Sequence, residues 1–252
     1  MKAILLPENK LRKLYTEKLA SSTKIAKKYH CDPTTIRNYL RKYHIPVRIG
    51  GPIPKNKKKP SNNAAEKSYM LGLCAADIYV RRHWRQIRIE LATSIPQMIK
   101  VFKNTWGPYS KMRMYLVKSK SPKPTFLCRY LLHPAFSFLL YAKKTIPDDS
   151  KTFYAYLAGA IDGDGCIVRD PPTSTRAIIL SNTDRAWLDR IKGKLYSMGF
   201  HPAIHGGKKG KDFVLGLYRK REILNIGREL LKFMKYEPRR KKLTRILKEI
   251  GT

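Results

Sequence analysis

Two aspartates occupy matching places in this chain. Asp77 closes the segment Tyr69-Met-Leu-Gly-Leu-Cys-Ala-Ala-Asp, and Asp164 closes Tyr156-Leu-Ala-Gly-Ala-Ile-Asp-Gly-Asp. In the second segment Leu157, Ala160, Ile161 and Asp164 recur at i, i+3, i+4 and i+7; in the first, Met70, Leu73, Cys74 and Asp77 do so. Each apolar stripe therefore ends in a carboxylate at a helix C-terminus, where the macrodipole disfavours an anion. A divalent cation compensates for such a placement. Gly72 and Ala76, and Gly159 and Gly163, put small residues four apart, so two such helices can pack backbone to backbone and bring Asp77 and Asp164 together. Two carboxylates completed by phosphate oxygens make a magnesium site suited to in-line phosphodiester hydrolysis.

The elements that position this pair repeat with it. Each opening is followed by a hairpin pattern (81–91; 166–182), an amphipathic helix (Ile95 to Thr105; Asp184 to Met198), a strand pair and a further helical segment. Strict alternation turns Ile87, Ile89 and Leu91 to the core and leaves Gln86, Arg88 and Glu90 outward. The same period counted from Asp77 exposes Arg81 and His83, and Lys111, Arg113 and Tyr115 alternate with Met112 and Met114. Arg, Gln and Glu are side chains that read guanine, adenine and cytosine edges. The second copy offers less: Val168 and Asp170 on its first strand, Arg176 opposite, and a loop from His205 to Lys211 whose Lys208 and Lys209 suit phosphate. Arg88 and Glu90 have no counterparts there, so a target of this sheet pair is expected to be asymmetric.

Lys and Arg number 53 against 18 Asp and Glu, a net charge of +35. Self-repulsion of that size calls for a polyanion, and basic residues interleaved with 15 tyrosines point to nucleic acid. No apolar run is long enough to cross a bilayer, and the opening lacks a signal-peptide core. The four cysteines show no C-x-x-C pair, which argues against structural zinc or a disulfide framework and for a reduced, intracellular setting. Residues 1–46 form a separate basic module. Ser21-Ser22-Thr23 caps a helix running to Lys28, and Asp32-Pro33 opens a second helix from Thr34 to about Tyr43. The second helix buries Ile36, Tyr39 and Leu40 and presents Thr35, Arg37, Asn38 and Arg41, the pattern of a recognition helix in a major groove. A Pro- and Lys-rich linker over 47–65 follows, with Lys57 and Lys58 placed to track a phosphate backbone.

The segments YLAGAIDGDG and YMLGLCAADI resemble the signature helix of the LAGLIDADG homing endonucleases, and the resemblance covers roughly residues 66–250. The N-terminal stretch STKIAKKYHCDPTTIRNYLRKYHIPVR resembles helix-turn-helix modules attached to phage and mobile-element nucleases. The resemblance implies an α+β fold of two αββαββα pseudo-symmetric repeats, here at 66–149 and 150–252, preceded by the small all-α helix-turn-helix domain. It implies a monomer that holds Mg2+ between Asp77 and Asp164 with the carbonyls of Ala76 and Gly163, assigns Asp162 a structural role, and places Lys143 and Lys235 near the metal. The implied activity is double-strand cleavage of a long asymmetric DNA site, as in intron homing, by a DNA-associated protein in the cytoplasm of a prokaryote or phage-infected cell. Two readings compete with it: a maturase whose partner is intron RNA, and an inactive DNA-binding regulator on the same scaffold. Acids intact in both copies favour cleavage. Copy one ends in Ile78 where the signature has glycine, so that helix is expected to pass straight into its strand, without a left-handed cap.

Overall fold

The structure, a computed structural model, describes residues 6–47, 58–117, 123–170, 172, 175–206 and 212–251. Lys57, Lys208 and Lys209 lie outside them. The chain divides into two compact units, Met1–Asn56 and Lys57–Thr252.

The first unit is helical. α2 (Ser22–Lys28) starts where the Ser21 hydroxyl accepts from the Lys24 N–H at 3.1 Å. α3 (Pro33–Lys42) starts where the Asp32 carboxylate accepts from the Thr34 N–H at 2.6 Å, with proline at its first turn. Local sequence signals set both starts. A preceding helix, α1 (Glu8–Arg12), continues into a π-helical turn over Lys13–Glu17 that periodicity did not announce. Leu6, Leu11, Tyr15, Ile25, Ala26, Ile36, Leu40 and Ile45 close one core.

The second unit repeats one architecture. The first half runs α4 (Ala64–Ala76), β1 (Tyr79–His83), β2 (Gln86–Thr93), α5 (Pro96–Trp106), β3 (Arg113–Val117), β4 (Thr125–Leu132) and a 3-10 segment, Pro134–Tyr141. The second half runs α6 (Ser150–Asp164), β5 (Gly165–Asp170), β6 (Thr175–Asn182), α7 (Arg185–Ser197), β7 (Ala203–Gly206), β8 (Phe213–Leu217) and α8 (Lys220–Leu231), then adds α9 (Glu237–Gly251). Each half forms a four-stranded antiparallel sheet, ordered β1-β2-β4-β3 and β5-β6-β8-β7. The expected α+β fold of two αββαββα repeats is borne out, with a 3-10 segment where the first half's last helix was expected. No helix among the described residues is long and apolar enough to cross a membrane.

α4 and α6 form the centre of this unit. An ideal Cβ on Gly72 would lie 1.8 Å from the Tyr156 carbonyl oxygen, and one on Gly159 would lie 2.2 Å from that of Tyr69. Only hydrogen fits between these backbones. The buried stripes of both helices join the inner faces of both sheets in a single core.

Candidate active site and nucleic-acid interface

The two helices end beside each other. A Cβ on Gly163 would stand 2.6 Å from the Ala76 Cβ and 3.4 Å from that of Asp77, so Asp77 and the Gly163–Asp164 pair are neighbours. Asp77 is the C-cap of α4, with φ −114° and ψ −2°; Gly165, the C-cap of α6, is extended at φ −86° and ψ 168°. Neither helix uses a left-handed cap, so Ile78 costs copy one nothing in backbone geometry. Gly165 is required for space instead: a Cβ there would meet the Ile161 Cα at 2.6 Å.

Burial raises the Asp77 pKa to about 6, the charge of Asp164 adds to the rise, and Arg239 opposes it. Burial also raises the Asp164 pKa, against the Asn182 hydrogen bond and the charges of Lys143 and Arg239. The pair is thus two hard oxygen ligands whose ionised forms repel each other. That donor set fits a divalent cation. No group of three or more His, Cys, Asp or Glu side chains gathers among the described residues, so further ligands would have to come from backbone carbonyls, water or substrate.

The surroundings of the two acids differ. Asn182 Nδ2 donates to Asp164 Oδ2 at 2.7 Å, and Lys143 Nζ donates to Asn182 Oδ1 at 3.1 Å while standing 3.6 Å from Asp184. Lys143, from the end of the first half, therefore reaches the second half's acid through an amide. Lys235 is placed otherwise. Its ammonium lies 4.5 Å from the centre of the Tyr69 ring, and burial lowers its pKa although the side chain still reaches solvent. Its backbone N–H and that of Tyr236 donate to Asp162 Oδ2 at 2.6 and 3.0 Å, joined by the Tyr69 hydroxyl at 2.8 Å. Asp162 is fully buried and ties the turn after α8 to α4 and α6. Copy one has Ala75 at this point, and the matching tyrosine, Tyr156, donates to the Ala142 carbonyl and accepts from Trp187 Nε1.

Two neighbours of the acids escaped the sequence reading. Asn182 ends β6 and carried one usable signal, its match to Thr93 at the end of β2: each accepts from the backbone N–H two residues on, at 3.0 and 3.1 Å. Arg239 carried none. It is one of many cations, sits on a helix absent from the first half, donates to the Asp162 carbonyl and lies 4.7 Å over the Tyr236 ring.

In the first sheet β2 buries the expected residues, but β3 does not alternate: Met114 and Leu116 are exposed along with Arg113 and Tyr115. Register sets Arg81 opposite Arg88 and His83 opposite Gln86, with Ile87, Ile89 and Leu91 buried on the other side. Glu90 is held by Arg88 at 2.5 Å and by Arg129 at 2.7 Å. Arg113 is exposed on the edge strand β3, and Lys111 just precedes it; both line an open groove with Met112, Arg129 and Leu131. In the second sheet Arg176, expected opposite Val168 and Asp170, instead pairs with Arg169, which lies between them in β5. It therefore shares a side with the buried Ile178 and Leu180 and stands 3.5 Å from Glu249 of α9, away from the face of Val168 and Asp170. On α3, Arg37, Asn38 and Arg41 are exposed, Thr35 is half-buried, and Ile36 and Leu40 are buried; Lys58, in the linker ahead of α4, is exposed.

Residues 154–236 match the LAGLIDADG-like domain family. That span contains Asp162, Asp164, Asn182 and Lys235. Among solved structures, the chain is similar to mesophilic variants of the homing endonuclease I-DmoI, with 17% identity, a TM-score of 0.50, and coverage of 67% of this chain and 96% of that one. It is also similar to the homing endonuclease I-WcaI bound to its DNA recognition sequence, with 15% identity, a TM-score of 0.57, and coverage of 73% and 88%. At these identities the likeness is one of fold. No curated protein sequence matches the chain.

Proposed function

Taking the chain as a member of the LAGLIDADG family, we propose that it is a site-specific DNA endonuclease that cuts both strands of an asymmetric target. The observation that carries this reading is the meeting of Asp77 and Asp164 at the joined ends of α4 and α6. In this reading the two carboxylates, with the carbonyls of Ala76 and Gly163, hold divalent cations such as Mg2+. A cation bound there supplies Lewis-acid polarisation of a phosphate oxygen and a lower pKa for bound water. Asn182 fixes the orientation of the Asp164 carboxylate, and Lys143 beyond it sets a positive charge where negative charge grows during phosphodiester hydrolysis. Lys235 acts chiefly as a positioning residue through its backbone.

The first sheet reads its half-site through Arg81, His83, Gln86, Arg88, Lys111 and Arg113, with Glu90 clamped by arginines so that their donors are held in place. α2 and α3 serve as a helix-turn-helix, with Arg37, Asn38 and Arg41 directed to a second stretch of major groove. Both repeats in one chain make a monomer that needs no palindrome.

Selection of cleaved duplexes from a randomised library with Mg2+ tests the proposal. The wild-type chain is expected to cut both strands of the selected duplex. Asp77→Asn and Asp164→Asn are each expected to retain binding and lose double-strand cutting. Normal cutting by either variant, or a wild-type chain that binds the duplex and never cuts it, overturns the reading.

A further inference from the structure

The tip of the β1–β2 hairpin is built against its own stability. His83 pairs with Gln86, leaving Trp84 and Arg85 as a two-residue turn. Such turns favour glycine where φ is positive, because a Cβ is crowded there. This turn has Trp84 at φ 56°. The indole is also 68% exposed, whereas the other two tryptophans, Trp106 and Trp187, are fully buried. A left-handed backbone and a wetted indole both cost free energy, and the contacts Trp84 makes among the described residues leave most of it exposed.

The setting of the ring indicates what recovers it. Trp84 stacks on His83 with ring centres 5.9 Å apart and planes 15° from parallel, so the indole is braced from one side. Arg81 and Arg82 are exposed on the strand leading to it, and Arg81 and His83 share the outer face with Gln86 and Arg88. A flat, braced aromatic at a protruding tip among arginines has the chemistry of a wedge that stacks on a base step of a polyanionic duplex. We infer that Trp84, backed by His83, is a nucleobase-stacking contact that anchors the outer end of the half-site under the first sheet. The inference rests on the endonuclease reading and extends it.

Geometry bounds the position of the contact. Trp84 lies seven residues from Asp77, five of them (Tyr79–His83) in strand, so at about 3.3 Å per extended residue the tip stands at most about 23 Å from the acids. At 3.4 Å per base pair that is at most roughly seven base pairs from the cut.

The test uses the full chain and the duplex recovered by selection. Because Trp84 is the exposed tryptophan of three, acrylamide quenching reports on it. Bound duplex is expected to quench the exposed emission and shield it from acrylamide, and 2-aminopurine placed up to roughly seven base pairs from the cut is expected to brighten as its stacking is disturbed. Trp84→Gly suits the turn better, so it is expected to melt no lower than wild type. It should bind about tenfold more weakly, lose the 2-aminopurine signal and cut at the same positions. Trp84→Phe is expected to recover most of the affinity. A duplex that binds without changing Trp84 emission overturns the inference, as does Trp84→Gly binding at full strength. Melting of Trp84→Gly below wild type makes the residue a fold element and overturns it too. A chain that cuts DNA with a silent Trp84 removes this inference alone; a chain that binds no duplex removes the endonuclease reading with it.

Discussion

Replacing glycine with alanine in a helix usually stabilises, by up to about 1 kcal/mol, because alanine loses less backbone entropy on folding. Two helical glycines here should respond with opposite sign. Gly193 lies exposed in α7, and a Cβ there would have no heavy atom within 4 Å, so Gly193→Ala should raise Tm by about 2–4 °C for a unit of this size. At Gly159 the new Cβ would stand 2.2 Å from the Tyr69 carbonyl oxygen and 2.9 Å from the Leu73 nitrogen, both backbone atoms of α4. Restoring ordinary contact near 3.5 Å forces the helices apart by about 1.3 Å, which forfeits a large part of the dispersion between them. Overpacking of this kind costs about 1–3 kcal/mol and sometimes more, which exceeds the propensity gain. A net loss of about 2 kcal/mol should lower Tm by about 4–8 °C. Thermal and urea unfolding followed by circular dichroism measure both variants. Gly72→Ala makes the matching clash, 1.8 Å from the Tyr156 oxygen, and parts the same helices. The double variant Gly72→Ala/Gly159→Ala should therefore cost less than the two single losses added together. Shifts of the same sign at Gly159 and Gly193, or strict additivity at Gly72 and Gly159, would refute the argument that the two backbones are in contact.

The remaining predictions concern the site and its reach. Asn182→Ala and Lys143→Met should each slow cleavage about 10–100-fold while leaving duplex binding intact, because they remove the orienting bond to Asp164 and the charge behind it; single-turnover cleavage with saturating protein checks this. Burial alone would raise the Glu90 pKa, but hydrogen bonds from Arg88 and Arg129 outweigh it and hold the carboxyl below its usual 4.5. A depressed carboxylate adds stability above the unfolded pKa that is lost as pH falls through the folded value. The Tm deficit of Glu90→Gln should accordingly be largest at neutral pH and vanish on acidification below 4.5, and a deficit constant with pH would refute it. Removing residues 1–56 should shorten the footprint on one side, weaken binding and flatten its salt dependence, with the cut positions unmoved; footprints at two salt concentrations decide it.

The sequence by itself determined whatever depends on neighbours a few residues apart. The stripes ending in Asp77 and Asp164 set which helix faces are buried, and Gly72 and Gly159 announced the close approach. Ser21 and Asp32 marked the starts of α2 and α3, because a cap acts on an N–H two or three residues away. The charge of +35 pointed to a polyanionic partner. Tertiary structure alone decided which distant groups surround those acids. Lys143 and Lys235 stand in similar local sequence, yet one reaches Asp164 through Asn182 and the other turns its ammonium over Tyr69 and its N–H to Asp162. Asp162 accepts the N–H groups of Lys235 and Tyr236, whereas copy one has Ala75 at that point, with no side-chain acceptor, a difference felt only when the elements pack. Arg239 joined the site from α9, more than seventy residues beyond Asp164. Arg176 shows how little local pattern constrains pairing. It was expected on the face of Val168 and Asp170, but it pairs with Arg169 and shares a side with the buried Ile178 and Leu180, and only the partner strand fixes which β5 residues it stands beside.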